Sequence, residues 1–218
     1  PSSGTKLYKN GVLVNSWNDI GHNPNNATVT IGATPVGGAF FDGRIDDLRV
    51  FDHAVRAADV QMIYESAPLL QLHLDESEDA TAFRDASDNG NDGTCTACPD
   101  TGHQGQVGLA ARFEAGERIV IPDDSRLRLT SFSVGAWVKP EAVLNNQQNV
   151  IDKTKNYELA LAGGALTPTL RTATSDASLN WRTVESDVAL ALDQWSHVMG
   201  TYDNGSKELR IYVNGYLQ

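Results

Sequence analysis

Short runs of alternating apolar and polar residues, separated by turn dipeptides, dominate this sequence. Such runs are LLQLHLDE, RIVIPD, FSVGAWVKP, WSHVMGTYD and ELRIYVNG, and Asn-Gly or Asp-Gly begins at positions 10, 42, 89, 92, 204 and 214. A period of two places alternate side chains on one face of a strand, and these dipeptides supply the positive φ of tight hairpin turns. The sequence therefore predicts an all-β antiparallel sandwich or jelly roll.

One stretch, GRIDDLRVFDHAVRAADVQMIY from Gly43 to Tyr64, predicts a strand that runs into a single short helix near residues 56–64. Leu48 and Val50 alternate with polar and aromatic neighbours as in a strand with one buried face. The proline that follows cannot continue a helix, so residues 65–68 are expected to be a linker. A folding unit closes here, although most of the chain is still to come.

The charge balance narrows the class of partner. The chain has 28 acidic and 17 basic residues, a net charge of −11, and no apolar run approaches the roughly 20 residues of a membrane span. We therefore expect no nucleic-acid partner and no membrane insertion.

Two cysteines, Cys95 and Cys98, lie in GTCTACPD. A lone Cys-x-x-Cys is compatible with a redox pair, half a zinc site or a small-loop disulfide. Because no second such pair exists and the five histidines are scattered, the disulfide is the preferred interpretation. It implies an oxidising, extracellular or cell-surface location.

The two ends of the chain resemble each other. KLYKNGVLV at Lys6 to Val14 is similar to RIYVNGYLQ at Arg210 to Gln218, with an offset of 204 residues from Asn10 to Asn214. The chain is therefore expected to be about one period of a repeat, cut at an unusual place.

The stretch Gly43–Tyr64 closely resembles the closing strand and helix of bacterial laminin-G-like jelly-roll domains of the concanavalin A-like lectin/glucanase superfamily. LHLDE, DASDNGNDGT, GLAARFEAGERIVIPDDSRLRLTSFSVGAWVKP and WSHVMGTYDNGSKELRIYVNG look like the opening and middle of the same module. The resemblance implies that residues 1–64 are the C-terminal third of one module. It also implies that residues 69–218 are the N-terminal two thirds of the next.

Three arrangements are compatible with that order. The two segments can complete one permuted sandwich within the chain, complete modules with neighbouring copies head to tail, or form one repeat of a longer tandem array. Neither segment is expected to be stable alone, because a partial sandwich exposes an apolar face and unpaired strand edges.

No catalytic site is predicted. The glucanase branch needs two carboxylates projecting to the same side, and its Glu-x-Asp-x-x-Glu signature is absent here. The nearest acidic pairs, Asp46/Asp47 and Asp123/Asp124, are adjacent in sequence, so their members point to opposite faces of a strand.

Calcium is the predicted cofactor. DASDNGNDG, from Asp85 to Gly93, concentrates the oxygen ligands that calcium prefers in a glycine-bearing loop. The family resemblance implies a structural ion between the first strand, this loop and the last strand. The ligands implied by that placement are Asp46, Asp47, Asp75, Asn89 and Asn91.

Glycans are a further expected partner. Sugar sites stack an exposed aromatic ring against the sugar and surround it with polar groups. Trp137 and Trp195 lie in strand motifs and are expected to be structural, which leaves Trp181 and Trp17 as candidate platforms.

Two functions follow from these observations. One is a non-catalytic structural or adhesion module of a repetitive surface protein that assembles head to tail into a filament or array. The other is a calcium-dependent, lectin-like binding module that completes itself as a monomer. The order of the two segments favours the first.

Overall fold

The computed structural model describes residues 5–9, 12–17, 50, 54, 68–87, 89–154, 156–173 and 181–218. The chain divides into two compact units, Pro1–Pro68 and Leu69–Gln218. The predicted helix near residues 56–64 lies outside the described residues. Within the described part of the chain, no helix is long and apolar enough to cross a membrane.

In the first unit, two antiparallel strands form a hairpin, β1 (Thr5–Lys9) and β2 (Val12–Trp17). A register shift lies between Leu7 and Tyr8. Two residues, 10 and 11, separate the strands, which is the loop length of the tightest hairpins.

The second unit contains twelve strands among its described residues. They are β3 (Ala82–Phe83), β4 (Gly93–Thr94), β5 (Asp100–Gln104), β6 (Leu109–Arg112), β7 (Phe132–Val138), β8 (Gln148–Lys153), β9 (Tyr157–Leu161), β10 (Pro168–Ala173), β11 (Trp181–Glu185), β12 (Ser196–Asp203), β13 (Glu208–Val213) and β14 (Tyr216–Leu217).

Two four-stranded antiparallel sheets form the sandwich of the second unit. Their strand orders are β11-β10-β9-β8 and β14-β13-β12-β7. Alternate residues of both sheets meet in one apolar core; its buried members are Phe132, Tyr157, Leu159, Leu161, Leu166, Leu170, Leu190, Val198, Ile211 and Val213. The all-β sandwich predicted from the alternating runs is thus confirmed.

Close packing of the two sheets depends on Gly200 in β12. A Cβ at this position would lie 2.5 Å from Leu170 Cδ1 of β10, in the facing sheet. Any side chain here would force the sheets apart, because a well-packed core accepts little added volume.

Two predicted strands are largely wrong. LLQLHLDE forms only one isolated bridge, between Leu72 and Asp85, and RIVIPD forms only the bridge between Val120 and Thr94. In the first case Leu74 has φ of 59°, and a residue in the left-handed region cannot continue an extended strand.

Candidate functional site

The hairpin β1–β2 of the first unit and the hairpin β13–β14 of the second have the same register. Their cross-strand pairs coincide when 204 is added to each residue number: Tyr8–Leu13 and Lys9–Val12 in one, Tyr212–Leu217 and Val213–Tyr216 in the other. Asn214 and Gly215 form the second turn with φ of 50° and 83°, the pattern of a type I′ turn. The similarity of the chain ends is therefore also a similarity of structure.

The two hairpins differ in what covers them. Ile211 of β13 is completely buried, whereas its counterpart Leu7 in β1 is 53% exposed. β13 pairs with β12 and contributes Ile211 to the core between the two sheets. Among the described residues, β1 pairs with β2 alone. The apolar side chain of Leu7 in the first unit is thus about half exposed, where its counterpart is buried in a core.

The cysteines form the predicted disulfide. Cys95 and Cys98 are bonded, with their Cα atoms 5.1 Å apart. In this bonded form neither sulfur is a zinc ligand. The bridge closes a loop between β4 and β5, and the backbone N–H of Cys95 donates to the Thr81 carbonyl at 3.2 Å.

The loop Asp85–Gly93 is organised by the buried carboxylate of Asp85. Its two oxygens accept backbone N–H bonds from Gln71 at 3.0 Å, Ser87 at 2.9 Å and Asn91 at 2.9 Å. Burial alone would raise the pKa of Asp85, but hydrogen bonds from Ser87, Gln71 and Asn91 outweigh it and lower the pKa to about 2. The sequence pattern placed Asp85 in this loop but did not identify it as the side chain that accepts three backbone N–H bonds.

The predicted calcium ligands that the structure describes make contacts within the protein. The Asp75 carboxylate accepts the backbone N–H of Leu109 at 2.6 Å. Leu109 is not part of the loop Asp85–Gly93. Asn89 Oδ1 accepts a bond from Arg126 Nη1 at 2.8 Å. Asn91 is buried, and its Nδ2 donates to the Leu69 carbonyl at 2.7 Å.

Asp46 and Asp47 lie outside the described residues. In the described part of the chain, no three His, Cys, Asp or Glu side chains lie together as a metal site requires. The calcium site therefore stays a prediction.

Trp181 lies at one end of a polar cluster on the outer face of the sheet β8–β11. The Arg171 guanidinium is stacked 4.8 Å from the centre of the Trp181 ring. Arg171 also donates to Glu158 Oε1 at 3.1 Å and to Gln147 Oε1 at 2.9 Å, and Gln147 donates to Asn149 at 2.7 Å. Gln147 also donates to Glu158 Oε1 at 2.7 Å, so the guanidinium, the carboxylate and the amide of this cluster bind one another.

The other tryptophans fall in different places. Trp17 is the last residue of β2. Trp137 lies in β7 as expected, yet it is 44% exposed and meets the His197 ring in an edge arrangement with 5.3 Å between centroids. It points away from the core, because Phe132, Val134 and Val138 of the same strand pack inward.

The adjacent carboxylates Asp123 and Asp124 have structural partners. Asp123 pairs with Arg128 and Lys153, and hydrogen bonds from these two cations hold the pKa of Asp123 well below its usual range. Asp124 caps the short 3-10 helix Ser125–Leu127 by accepting the backbone N–H of Arg126 at 2.7 Å.

A laminin G family model of the concanavalin A-like lectin/glucanases superfamily matches residues 2–61 and 113–218. The matched ranges include the hairpin β1–β2 and the sandwich strands β7 to β14. The loop Asp85–Gly93 and the disulfide lie outside them. No curated protein matches the chain.

Proposed function

Because the chain belongs to the concanavalin A-like lectin/glucanase superfamily, we propose that it is a non-catalytic structural and adhesion module of a repetitive extracellular protein. In this proposal residues 1–64 complete a module begun by a neighbouring copy. Copies joined in this way assemble head to tail into a filament or array, because a heterologous contact propagates unless it closes into a ring.

One observation carries the proposal: the hairpins β1–β2 and β13–β14 have the same register but are buried to different extents. In the second unit the hairpin β13–β14 packs on a sandwich. In the first unit the equivalent hairpin leaves Leu7 half exposed. A hairpin of one register that is buried in one unit and half exposed in the other supports completion of the first unit by another copy.

The disulfide supports the extracellular part of the proposal. Disulfides persist in oxidising environments and are rare where thioredoxin and glutathione keep thiols reduced. The net charge of −11 suits a soluble surface protein and disfavours adhesion to anionic membranes or nucleic acids.

Sedimentation velocity of matched variants tests the assembly. We expect Leu7→Asp to abolish species larger than the 23.5 kDa chain, because a carboxylate cannot enter an apolar interface unpaired. Leu13→Asp is the matched control: Leu13 is 47% exposed on the same hairpin, and its counterpart Leu217 pairs with the outward-facing Tyr212. Equal assembly of both variants and wild type would contradict the proposal.

The polar cluster around Trp181 supports a second function, glycan binding. Arg171 and Glu158 lie directly opposite each other on β10 and β9, so the backbone fixes the spacing of the guanidinium and the carboxylate beside the aromatic ring. Presented once per module in an array, even a weak site of this kind would gain avidity.

A glycan array probed with wild-type and variant chains tests this site. We expect Trp181→Ala to weaken binding to the retained glycans by roughly tenfold, the equivalent of one lost stacking contact. Trp137→Ala, which removes an exposed indole from the other sheet, is the control. Equal retention of the two variants would exclude the Trp181 cluster as the site.

Calcium binding is part of the proposal through Asp46, Asp47, Asp75, Asn89 and Asn91. A site formed only in the folded protein raises the melting temperature in proportion to the logarithm of ligand concentration. We therefore expect chelator-treated protein to be stabilised by millimolar calcium and not by equal magnesium. An unchanged melting temperature in calcium would count against the ion.

A further inference from the structure

The turn that joins β12 to β13 contains an Asn-Gly bond surrounded by ionised side chains. Asp203 and Glu208 are the last paired residues of the two strands, so the exposed residues 204–207, NGSK, form the turn. Asparagine is a chemically labile residue, and a following glycine leaves the backbone nitrogen unshielded because it has no Cβ. The surroundings of such a bond therefore decide how fast it reacts.

The attacking atom in the loss of an asparagine amide is the backbone nitrogen of the next residue, here Gly205. The Gly205 N–H donates to Asp203 Oδ1 at 2.8 Å, and the Ser206 hydroxyl donates to Asp203 Oδ2 at 3.0 Å. These hydrogen bonds, first that from Gly205, lower the pKa of Asp203, so its carboxylate is ionised at neutral pH. The carboxylate is thus placed to take the proton that the nitrogen must lose.

The attacked group, the side-chain amide of Asn204, is polarised by neighbouring donors. Asn204 Oδ1 accepts the Lys207 ammonium at 2.7 Å and, at the longer distance of 3.4 Å, the Tyr202 hydroxyl. The backbone N–H of Asn204 donates to Ser131 Oγ at 3.0 Å. Negative charge develops on the amide oxygen when the nitrogen adds to the amide carbon, and donors aimed at that oxygen lower the barrier.

Asn214–Gly215, in the turn between β13 and β14, has different surroundings. Asn214 Oδ1 accepts the backbone N–H of His197 at 2.9 Å, and the Asn214 N–H donates to the His197 carbonyl at 2.8 Å. Among the described residues beyond its chain neighbours, no heavy atom lies within 4 Å of a Cβ position at Gly215. At Gly205 the nearest such atom is Asp203 Oδ1, at 3.2 Å. The same dipeptide thus occurs in one sheet with and without a carboxylate beside its glycine.

We propose that the turn of residues 204–207 is a self-modification site at which the Asn204 amide is lost as ammonia. The Gly205 nitrogen bonds to Asn204 Cγ, and its proton passes through Asp203 to the departing amide nitrogen, so that a succinimide and ammonia form. Water then opens the ring at either carbonyl and leaves aspartate or isoaspartate at this position. Water is the only co-reactant, and the two reacting groups are held next to each other by the chain itself.

The modification would act on the hairpin at the centre of its sheet. Isoaspartate adds one carbon to the main chain beside the pair Asp203–Glu208, and a new carboxylate next to Asp203 introduces repulsion between like charges. β12 and β13 contribute Val198 and Ile211 to the apolar core. A chain that has aged should therefore be less stable than a new one.

Peptide mass spectrometry of aged, folded, full-length protein tests the site. The protein is incubated in heavy-oxygen water, which marks conversions that occur during the incubation, and is then cleaved after lysine and arginine. Asn204 falls in peptide 183–207 and Asn214 in peptide 211–218, each as the sole asparagine. We expect Asn204 to convert roughly tenfold faster than Asn214, a smaller factor than in a buried oxyanion hole because water screens the exposed ammonium.

The chain unfolded in guanidinium chloride is the reference, because unfolding removes the contacts of both turns. There the two asparagines should convert at similar rates, and Asn204 should convert more slowly than in the folded protein. Equal rates for Asn204 and Asn214 in the folded protein would overturn the proposal. Slower conversion of Asn204 in the folded than in the unfolded chain would also overturn it, because the turn would then protect the amide.

Lys207→Met separates polarisation of the amide from flexibility of the turn. Methionine keeps an unbranched side chain and removes the ammonium, so Asn204 should convert roughly fivefold more slowly, whereas a turn that is only loosened would convert faster. Lys139→Met, which removes an exposed ammonium directly after β7, is the matched control and should leave the rate unchanged. An unchanged or raised rate in Lys207→Met would contradict the proposal. So would a loss of ammonia that water never reverses, since it would indicate a bond between Lys207 and Asn204.

Discussion

Ile211 in β13 is completely buried and Leu7 in β1 is 53% exposed, although the two hairpins that hold them have the same register. The shared register follows from local sequence, since a two-residue Asn-Gly turn fixes which residues face each other. Burial follows from what packs on the hairpin, which for β13 is a facing sheet. A short segment therefore specifies the register of a hairpin, whereas burial of the hairpin depends on the rest of the module.

The identities between the hairpins lie in the turn and on the outward face. Tyr8 and Leu13 match Tyr212 and Leu217, whereas the buried Val213 corresponds to the exposed Lys9. A lysine at the position of Val213 would keep its ammonium group in water by extending its side chain past the edge of the core. A module completed by the first unit must therefore leave this position open to solvent.

The largest expected effect contrasts Ile211→Ala with Leu7→Ala. Removing a fully buried isoleucine lowers the free energy of unfolding by about 2–5 kcal/mol, through lost burial and the cavity left behind. At dilution, where copies do not assemble, Leu7→Ala should change it by less than about 0.5 kcal/mol. Urea unfolding of both variants measures the difference, and equal effects would break the comparison.

Acid should lower the free energy of unfolding of the second unit, whose sandwich buries one face of β13. The folded pKa of Asp85, about 2, lies below its ordinary value, so its contribution is present above about pH 4 and is lost as the pH falls towards 2. The loss is about 2 kcal/mol between pH 5 and pH 2.

Other carboxylates also titrate in this range, so the test is the difference between wild type and Asp85→Asn. We expect urea unfolding from pH 5 to pH 2 to show a shallower decline in the variant. Identical pH profiles would mean that Asp85 does not organise the loop.

The turn should contribute less than either the core or the loop. Gly215 has φ of 83°, where a side chain is strained, so Gly215→Ala should cost about 1 kcal/mol. Gly11 occupies the same place in the repeat, and Gly11→Ala should weaken β1–β2 by a similar amount if the two turns are alike. Amide hydrogen exchange of each hairpin checks both variants.

The smallest effect is expected from Lys9→Val, which makes the first hairpin more like the second. Because Lys9 is exposed, the free energy of unfolding should change by less than about 0.5 kcal/mol. A clear stabilisation in urea unfolding would instead indicate that this position is covered as Val213 is.

The alternating runs in the sequence predicted three strands of one sheet, β7, β12 and β13, and left the other sheet, β8 to β11, unassigned. FSVGAWVKP and ELRIYVNG alternate clearly and form β7 and β13. Tyr157, Leu159 and Leu161 of β9 do alternate with Glu158 and Ala160, but the run has only five residues and all five are buried. β10 begins with a proline, which a strand accepts at its first residue but which sequence patterns associate with turns.

The candidate sites show the same limit of local patterns. The disulfide could be predicted because only two cysteines exist, three residues apart. The hub role of Asp85 depends on backbone N–H groups from Gln71, which lies 14 residues away, and the stacking of Arg171 on Trp181 depends on sheet register. Neither contact has a signature in the sequence near the residue concerned.

Light scattering of the purified chain over a wide concentration range tests the central claim most directly. If neighbouring copies complete each other's modules, the mean mass should rise with concentration from the 23.5 kDa of one chain. It should keep rising and not stop at a fixed number of chains. A constant mass of one chain at every concentration would mean that the chain completes itself, and would contradict assembly by neighbouring copies.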